Sequence, residues 1–166
     1  MPLCPFDQIT APPVRDGYAY WRSLRTGDAL PKREAIDPAD VPALLPHLVI
    51  AEVTDPPISI TYRLVGTAVV RLNGVDFTGF ALNQGVEGGA WRDYWQRIYE
   101  RVVRDAEPLF GRDDYEYRDR SFLPFEWAIL PLSSDGTHVD RVLEIEAGIK
   151  QPPPDAGPAK RRGVWR

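Results

Sequence analysis

Residues 60–82 read ITYRLVGTAVVRLNGVDFTGFAL, and the change of period inside this stretch decides the fold. Ile58, Ile60, Tyr62 and Leu64 alternate with Ser59, Thr61, Arg63 and Val65, the period of two that a half-buried strand requires. The alternation stops at Gly66-Thr67. Val69, Val70 and Leu72 then form a short helical segment that closes at Asn73-Gly74, a pair that tolerates positive φ. Asp76-Phe77-Thr78-Gly79 adds a second tight turn. A strand, a helix of one or two turns and a sharp turn in so few residues wrap around something, either a packed side-chain cluster or a small ligand.

The chain has 166 residues, enough for one domain with its own core. Hydrophobic residues make up 43% and aromatics 11%, which argues for a globular fold. Charges are mixed and the net charge is −4, so there is no broad basic surface and nucleic acid is not an expected partner. The single cysteine, Cys4, excludes an internal disulfide and a multi-cysteine metal site. No apolar run reaches the roughly 18 residues of a membrane-spanning helix, so no membrane partner is expected. The N-terminal segment lacks the charged and apolar regions of a secretory signal, and a cytoplasmic location is the expectation.

Outward from the central stretch, residues 1–15 contain Pro2, Pro5, Pro12 and Pro13 and read as an irregular arm. Tyr18, Trp21 and Leu24 predict an amphipathic helix from Asp16 onward, and Asp37-Pro38 a short helix reaching Leu45. His47–Thr54 (HLVIAEVT) reads as a buried strand that pairs with the following one as a hairpin across Asp55-Pro56-Pro57. Trp91, Tyr94, Trp95, Ile98, Tyr99, Val102 and Val103 form one apolar helical stripe. Asp93–Arg97 and Glu100–Arg104 are spaced as supporting ion pairs on its other face. Three strands are expected after it: 107–117, with Gly111 marking a bulge and a charged tip at Arg112-Asp113-Asp114, then 122–132, then 139–149. Ser133-Ser134-Asp135-Gly136 is the hairpin turn between the last two. Residues 150–166, with four prolines and Lys160-Arg161-Arg162, read as a disordered tail. The domain proper is thus residues 16–149.

Two strands, short helices, one long helix and three strands give an α+β chain. Its motifs include Trp21 with Leu24-Arg25, Leu30-Pro31-Lys32-Arg33, Ile36-Asp37-Pro38, Leu44-Leu45-Pro46, Tyr62-Arg63-Leu64-Val65-Gly66-Thr67, Gly74-Val75-Asp76-Phe77-Thr78-Gly79 and Leu130-Pro131-Leu132-Ser133 with Asp135-Gly136. In this order they resemble the PAS-type family of small single-domain alphaproteobacterial proteins, formerly a domain of unknown function, over residues 18–149. The resemblance implies a PAS-like five-stranded antiparallel sheet with helices on one face, preceded by the N-terminal amphipathic helix. It also implies a stand-alone sensory or regulatory domain without catalytic apparatus, which binds a small ligand or a protein partner and signals through protein contacts. It names no ligand.

Each remaining motif has a simple structural reading beside its functional one. Flavin photochemistry needs a cysteine on a pocket helix, whereas Cys4 lies in the arm. A haem needs an axial ligand, whereas His47 stands at a strand entrance and His138 after a hairpin turn. No metal-ligand spacing is present, so no cofactor and no metal are expected. Asp113, Asp114 and Glu116 read as a solvated turn rather than an acid–base pair, and Lys160-Arg161-Arg162 as a solubilising tail. The ligand-binding candidates are Tyr62, Arg63, Tyr94, Ile98, Trp127 and Ile129, where tyrosine hydroxyls would be polar handles in an apolar pocket. Tyr18, Trp21 and Leu24 are the interface candidates: they are buried either within the chain or in a homodimer, with the dimer favoured. Two other functional classes stand beside the sensor. One is a ligand-free structural interaction module with a filled core. The other is a small NTF2-like α+β enzyme, which would need a His–Asp pair in a deep pocket.

Overall fold

The computed structural model describes residues 3–82, 89–116, 122–149 and 160–161. Five antiparallel strands form the sheet: β1 (Leu48–Thr54), β2 (Ser59–Val65), β3 (Leu109–Glu116), β4 (Phe122–Leu132) and β5 (Arg141–Gly148). Their spatial order is β2-β1-β5-β4-β3, and the two-residue β6 (Lys160–Arg161) adds to the outer edge of β3. The β1–β2 hairpin is followed by helices α2 (Thr67–Asn73) and α3 (Ala90–Asp105). The β3–β4–β5 meander then brings β5 back beside β1. This is the α+β, five-stranded antiparallel arrangement expected from the element order.

Both faces of β5 are covered. Leu143 and Ile145 lie on the outer face, where helix α1 (Pro12–Ser23) packs. The approach is close: a Cβ at Gly17 would lie 2.0 Å from Ile145 Cδ1. Trp21, fully buried, fixes the other end of α1 by donating its Nε1–H to Pro131 O at 2.8 Å. Val142, Glu144 and Glu146 point to the inner face, beneath α3. That helix carries Trp95, Ile98, Tyr99 and Val102 into the core and places the Trp95 ring 5.0 Å from Trp127. At its side, Gln96 Nε2 donates to Ile58 O at 3.1 Å, tying α3 to the β1–β2 hairpin.

Several local expectations are corrected. Helix α1 begins at Pro12, not Asp16, because prolines suit the first turn, where the missing N–H has no helical partner. The arm ahead of it is built in: Ile9, Ala11 and Val14 are buried, and Leu3 bridges to Gly111. No α-helix forms over 38–45. Pro42 lacks the N–H and pushes Val41 away from helical geometry, and the segment is a series of turns ending in a 3-10 turn, Leu45–His47. In β2 the alternation fails after Tyr62, since Ala51 pairs with Tyr62 but Ile50 with Leu64. Arg63 is the extra residue of a β-bulge. The bulge turns Leu64 to the outer face, where it is 42% exposed. Gly111, by contrast, sits in regular pairing with Trp127 and marks no bulge. A Cβ there would lie 2.2 Å from Trp127 Cζ2, so the glycine makes room for the indole. On α3, Glu100 accepts from Gln96 at 2.9 Å, while the i,i+4 ion pair is Arg101–Asp105.

Both sheet edges are covered in part, as exposed edges invite association. At β2, Tyr62 N–H donates to Phe80 O (3.0 Å) and Leu82 N–H to Ile60 O (2.9 Å). Of the expected tail, Lys160–Arg161 pair with Tyr115–Glu116 on β3, and its other residues lie outside the described set; the sequence also reads as a loop over 83–89, of which only Gly89 is described.

Candidate functional site

The inner face between α3 and the sheet gathers polar atoms that an ordinary core would omit. Register explains how. Ile129 lies opposite Glu144 and Trp127 opposite Glu146, so both glutamates share the face that carries the two large β4 side chains. Glu144 and Glu146 are buried, and so are Tyr62, Tyr99 and Asn73. Tyr99 Oη donates to Glu144 Oε2 at 2.6 Å, with Tyr62 Oη 3.4 Å away. Burial first, then the adjacent Glu144 carboxylate and Tyr62, hold the Tyr99 phenol well above its ordinary pKa, so it stays a donor. The Tyr62 ring meets Phe77 edge-on at 4.8 Å. Trp127 is wholly buried, and its Nε1 has no hydrogen-bond partner among the described residues.

Of the ligand-binding candidates, Tyr62, Ile98, Trp127 and Ile129 converge on this inner region. Tyr94 flanks it, half-buried, with its ring 5.5 Å from Trp95. Burial, then the charges of Asp113 and Cys4, push its pKa up to about 12. Arg63 does not belong. The bulge places it at the surface, 54% exposed, in a 2.9 Å ion pair with Glu52. The interface candidates are occupied within the chain. Trp21 is buried against its own sheet, Tyr18 stacks among Phe6, Trp21 and Phe110, and Leu24 is half-buried.

Sequence reading missed Glu144 and Glu146 as parts of the site. Strict alternation in β5 separated two sets of side chains, but it carried no signal that both sets are buried, one under α1 and the other under α3. Asp113 was also misplaced: it lies mid-strand with a buried side chain rather than in a solvated turn, and Asp114 is the exposed neighbour.

The histidines are held elsewhere. His47 donates its Nδ1–H to the Glu146 carbonyl at 2.9 Å, and burial lowers its pKa, favouring the neutral ring. His138 pairs with Asp135 at 2.8 Å on the exposed β4–β5 turn, and that carboxylate raises its pKa. This is a His–Asp pair, but in open solvent rather than the deep pocket an NTF2-like enzyme requires. Among the described residues no group of three His, Cys, Asp or Glu could hold a metal ion, and no helix is long and apolar enough to cross a membrane.

This architecture, a meander and hairpin sheet with α2 and α3 over one face, defines a class, and the sequence agrees. Residues 9–145 match the PAS domain family, and the chain belongs to it. A search of curated proteins finds no match. Among solved structures it is similar to the PAS domain of an HTR-like protein from Haloarcula marismortui, at 19% identity over 67% of this chain and 90% of that one, with a TM-score of 0.44. A fungal LOV domain photoreceptor is similar at 13% identity over 81% of this chain and 91% of that one, with a TM-score of 0.47. A light-oxygen-voltage domain studied with a flavin analogue is similar at 12% identity over 68% and 84%, with a TM-score of 0.46.

Proposed function

We propose that this PAS domain is a sensory module without catalytic machinery of its own, which takes a small ligand between α3 and the inner sheet face and signals through protein contacts. The supporting observation is the buried polar set on that face: Glu144 and Glu146 on one strand, the Tyr99 and Tyr62 hydroxyls, and the Trp127 Nε1–H without a partner among the described residues. Burying carboxylates and an indole N–H where aliphatic side chains would fit costs stability. Such a cost is carried where specific polar groups are needed, and small-molecule sites combine apolar walls with a few aimed polar groups.

The experiment is native mass spectrometry of the purified chain, followed by denaturation and extraction. A discrete added mass lost on denaturation, and absent from a Trp127→Phe variant of unchanged stability, supports the reading. Bare protein mass in every preparation, with no thermal shift across a metabolite panel, sinks it. That result favours the second reading, a ligand-free interaction module. It has its own observation, the close succession of Phe77, Tyr62, Tyr99, Trp95 and Trp127 rings at centroid separations of 4.8–6.4 Å.

A further inference from the structure

The flank of α1 carries a charged surface that the fold does not consume. Arg15, Tyr18 and Arg22 recur at helical spacing, and Arg25 follows in the turn that closes the helix, its N–H donating to Arg22 O at 3.2 Å. Each guanidinium lies over an aromatic ring: Arg15 over Phe6 at 4.9 Å, Arg22 over Tyr18 at 5.8 Å and Arg25 over Trp21 at 5.3 Å. The rings form a row, with Phe6 4.6 Å from Tyr18 and Tyr18 6.0 Å from Trp21. Stacking holds each planar fork in place, so less side-chain freedom is lost when it meets an oxyanion.

The three charges are not neutralised. Arg63, Arg92, Arg101, Arg104, Arg112 and Arg141 each lie beside a carboxylate. Arg15, Arg22 and Arg25 form no ion pair among the described residues. Arg15 donates instead to Ile9 O at 2.8 Å and Arg25 to Asp28 O at 2.9 Å, and backbone carbonyls orient a guanidinium without cancelling its charge. On a chain of net charge −4 the stripe is a local reversal of sign. With a screening length of about 8 Å at physiological salt, a group bound there feels the stripe more than the chain's total.

At its end the stripe runs into a cleft. A cavity of about 430 Å³ lies between α1 and the segment leading into β3, lined in part by Tyr18, Arg22, Arg25, Asp28 and Glu107. A second, of about 640 Å³, shares Arg25, Asp28 and Glu107 and adds Asp105 and Asp135. The sign therefore changes from positive along α1 to negative in the cleft. A uniform polyanion, whether nucleic acid or anionic lipid, meets repulsion at that end. A short segment with several acidic residues and one basic end matches both parts.

We propose that the α1 arginine stripe and its cleft are a docking surface for an extended acidic segment of a partner protein, ending in a basic side chain. From Arg15 to Arg25 the chain rises about 15 Å, the reach of about five extended residues. Complementary charges of this kind set partner choice and register more than affinity. The surface lies with α1 on the outer side of the sheet, so its failure leaves the inner-face ligand reading untouched.

The test follows the anisotropy of a fluorescein-labelled peptide, EEDEEGK, added to the full chain. Its affinity should fall as salt rises. Two triple variants of equal net charge are compared: Arg15→Glu, Arg22→Glu, Arg25→Glu on the stripe, and Arg63→Glu, Arg71→Glu, Arg97→Glu elsewhere. The first should bind the peptide about tenfold more weakly than the second. The charge-reversed peptide KKRKKGE should prefer the first variant to the second, a rescue that a misfolded chain cannot give. Arg22→Glu alone, at an exposed side chain with no hydrogen bond among the described residues, should weaken EEDEEGK about threefold. EEDEEGE, more anionic but lacking the basic end, should bind more weakly than EEDEEGK. Equal binding to the two triple variants, tighter binding of EEDEEGE, or displacement of the labelled peptide by oligothymidylate or phosphatidylserine vesicles at lower concentration than by unlabelled EEDEEGK would overturn the proposal.

Discussion

Replacing Glu126 with glutamine should detach α1 from the sheet more effectively than any surface change of similar size. The carboxylate is fully buried on β4 and accepts from Thr10 N–H at 2.7 Å, Ala11 N–H at 2.6 Å, Thr10 Oγ1 at 3.1 Å and the Arg112 guanidinium. It substitutes for the capping side chain that Ala11 cannot offer ahead of Pro12-Pro13. Hydrogen bonds to a charged group contribute about 1.5–3 kcal/mol each, and buried donors left unmet cost about 1–3 kcal/mol. The bonds are shared within one network and do not add. Glu126→Gln keeps one acceptor oxygen but turns an N–H2 toward donors, so a loss of about 3 kcal/mol is expected. Arg112→Gln, at the half-exposed partner, should cost about 1 kcal/mol or less.

Urea unfolding followed by tryptophan fluorescence reads both changes. At about 2–4 °C per kcal/mol for a chain of this size, Glu126→Gln should also lower Tm by about 6–12 °C. Burial by itself would raise the Glu126 pKa. The bonds from Arg112, Ala11 and Thr10 outweigh it and hold the carboxyl below its ordinary value. A depressed folded-state pKa gives stability that is present above the unfolded value, about 4.3, and lost as pH falls through the folded one. The gap between the unaltered chain and Glu126→Gln should therefore close in acid. A loss under about 0.5 kcal/mol at neutral pH, or a gap that widens in acid, would refute the capping role.

Four further outcomes follow from the geometry. Tyr94 should titrate near 12 by NMR of its ring carbon; with a raised folded pKa, its contribution is intact below about 10 and is lost as pH climbs toward the folded value, so a Tyr94→Phe chain should unfold less steeply in alkali. Gly111→Ala should cost about 1–3 kcal/mol in urea midpoint analysis, because the added methyl overlaps the Trp127 ring. Leu64→Ser should change stability by less than about 0.5 kcal/mol, while Tyr62→Ser should cost about 3 kcal/mol; equal costs would place both residues on one face and remove the bulge. Glu146→Gln should keep the fold, with a urea midpoint close to that of the unaltered chain, yet weaken any co-purifying ligand seen by native mass spectrometry; a large loss of stability would make Glu146 structural.

The long helix and the strand order were legible because their signals are local and repeated. Trp95, Ile98, Tyr99 and Val102 recur at helical spacing, and all four are buried. What escaped depended on distant partners. The early start of α1 turns on Glu126, more than a hundred residues away along the chain. The bulge at Arg63 turns on how β1 pairs with β2, and alternation within β2 cannot report a slip against another strand. Gly111 looked like an irregularity because its neighbour across the ladder, the Trp127 indole, is invisible in local sequence. The same limit explains the site: Tyr62 and Trp127 were found as aromatics on strands, whereas Glu144 and Glu146 look like any solvent-facing pair until both sides of β5 are seen to be covered.

The three glutamates buried among the described residues face opposite ways across the sheet. Glu126 faces outward on the sheet, and its donors come from the start of α1 and from Arg112, so its charge is spent on holding the N-terminal segment. Glu144 and Glu146 face the opposite way on β5, toward α3. There Tyr99 is kept protonated beside Glu144, and the Trp127 Nε1–H lies within the same buried region. Carboxylates at those positions carry a desolvation cost that valine or isoleucine would avoid, offset at Glu144 by the hydrogen bond from Tyr99. Their burial under the long helix, beside the Tyr99 and Tyr62 hydroxyls, is the observation on which the proposed ligand reading of the inner face rests.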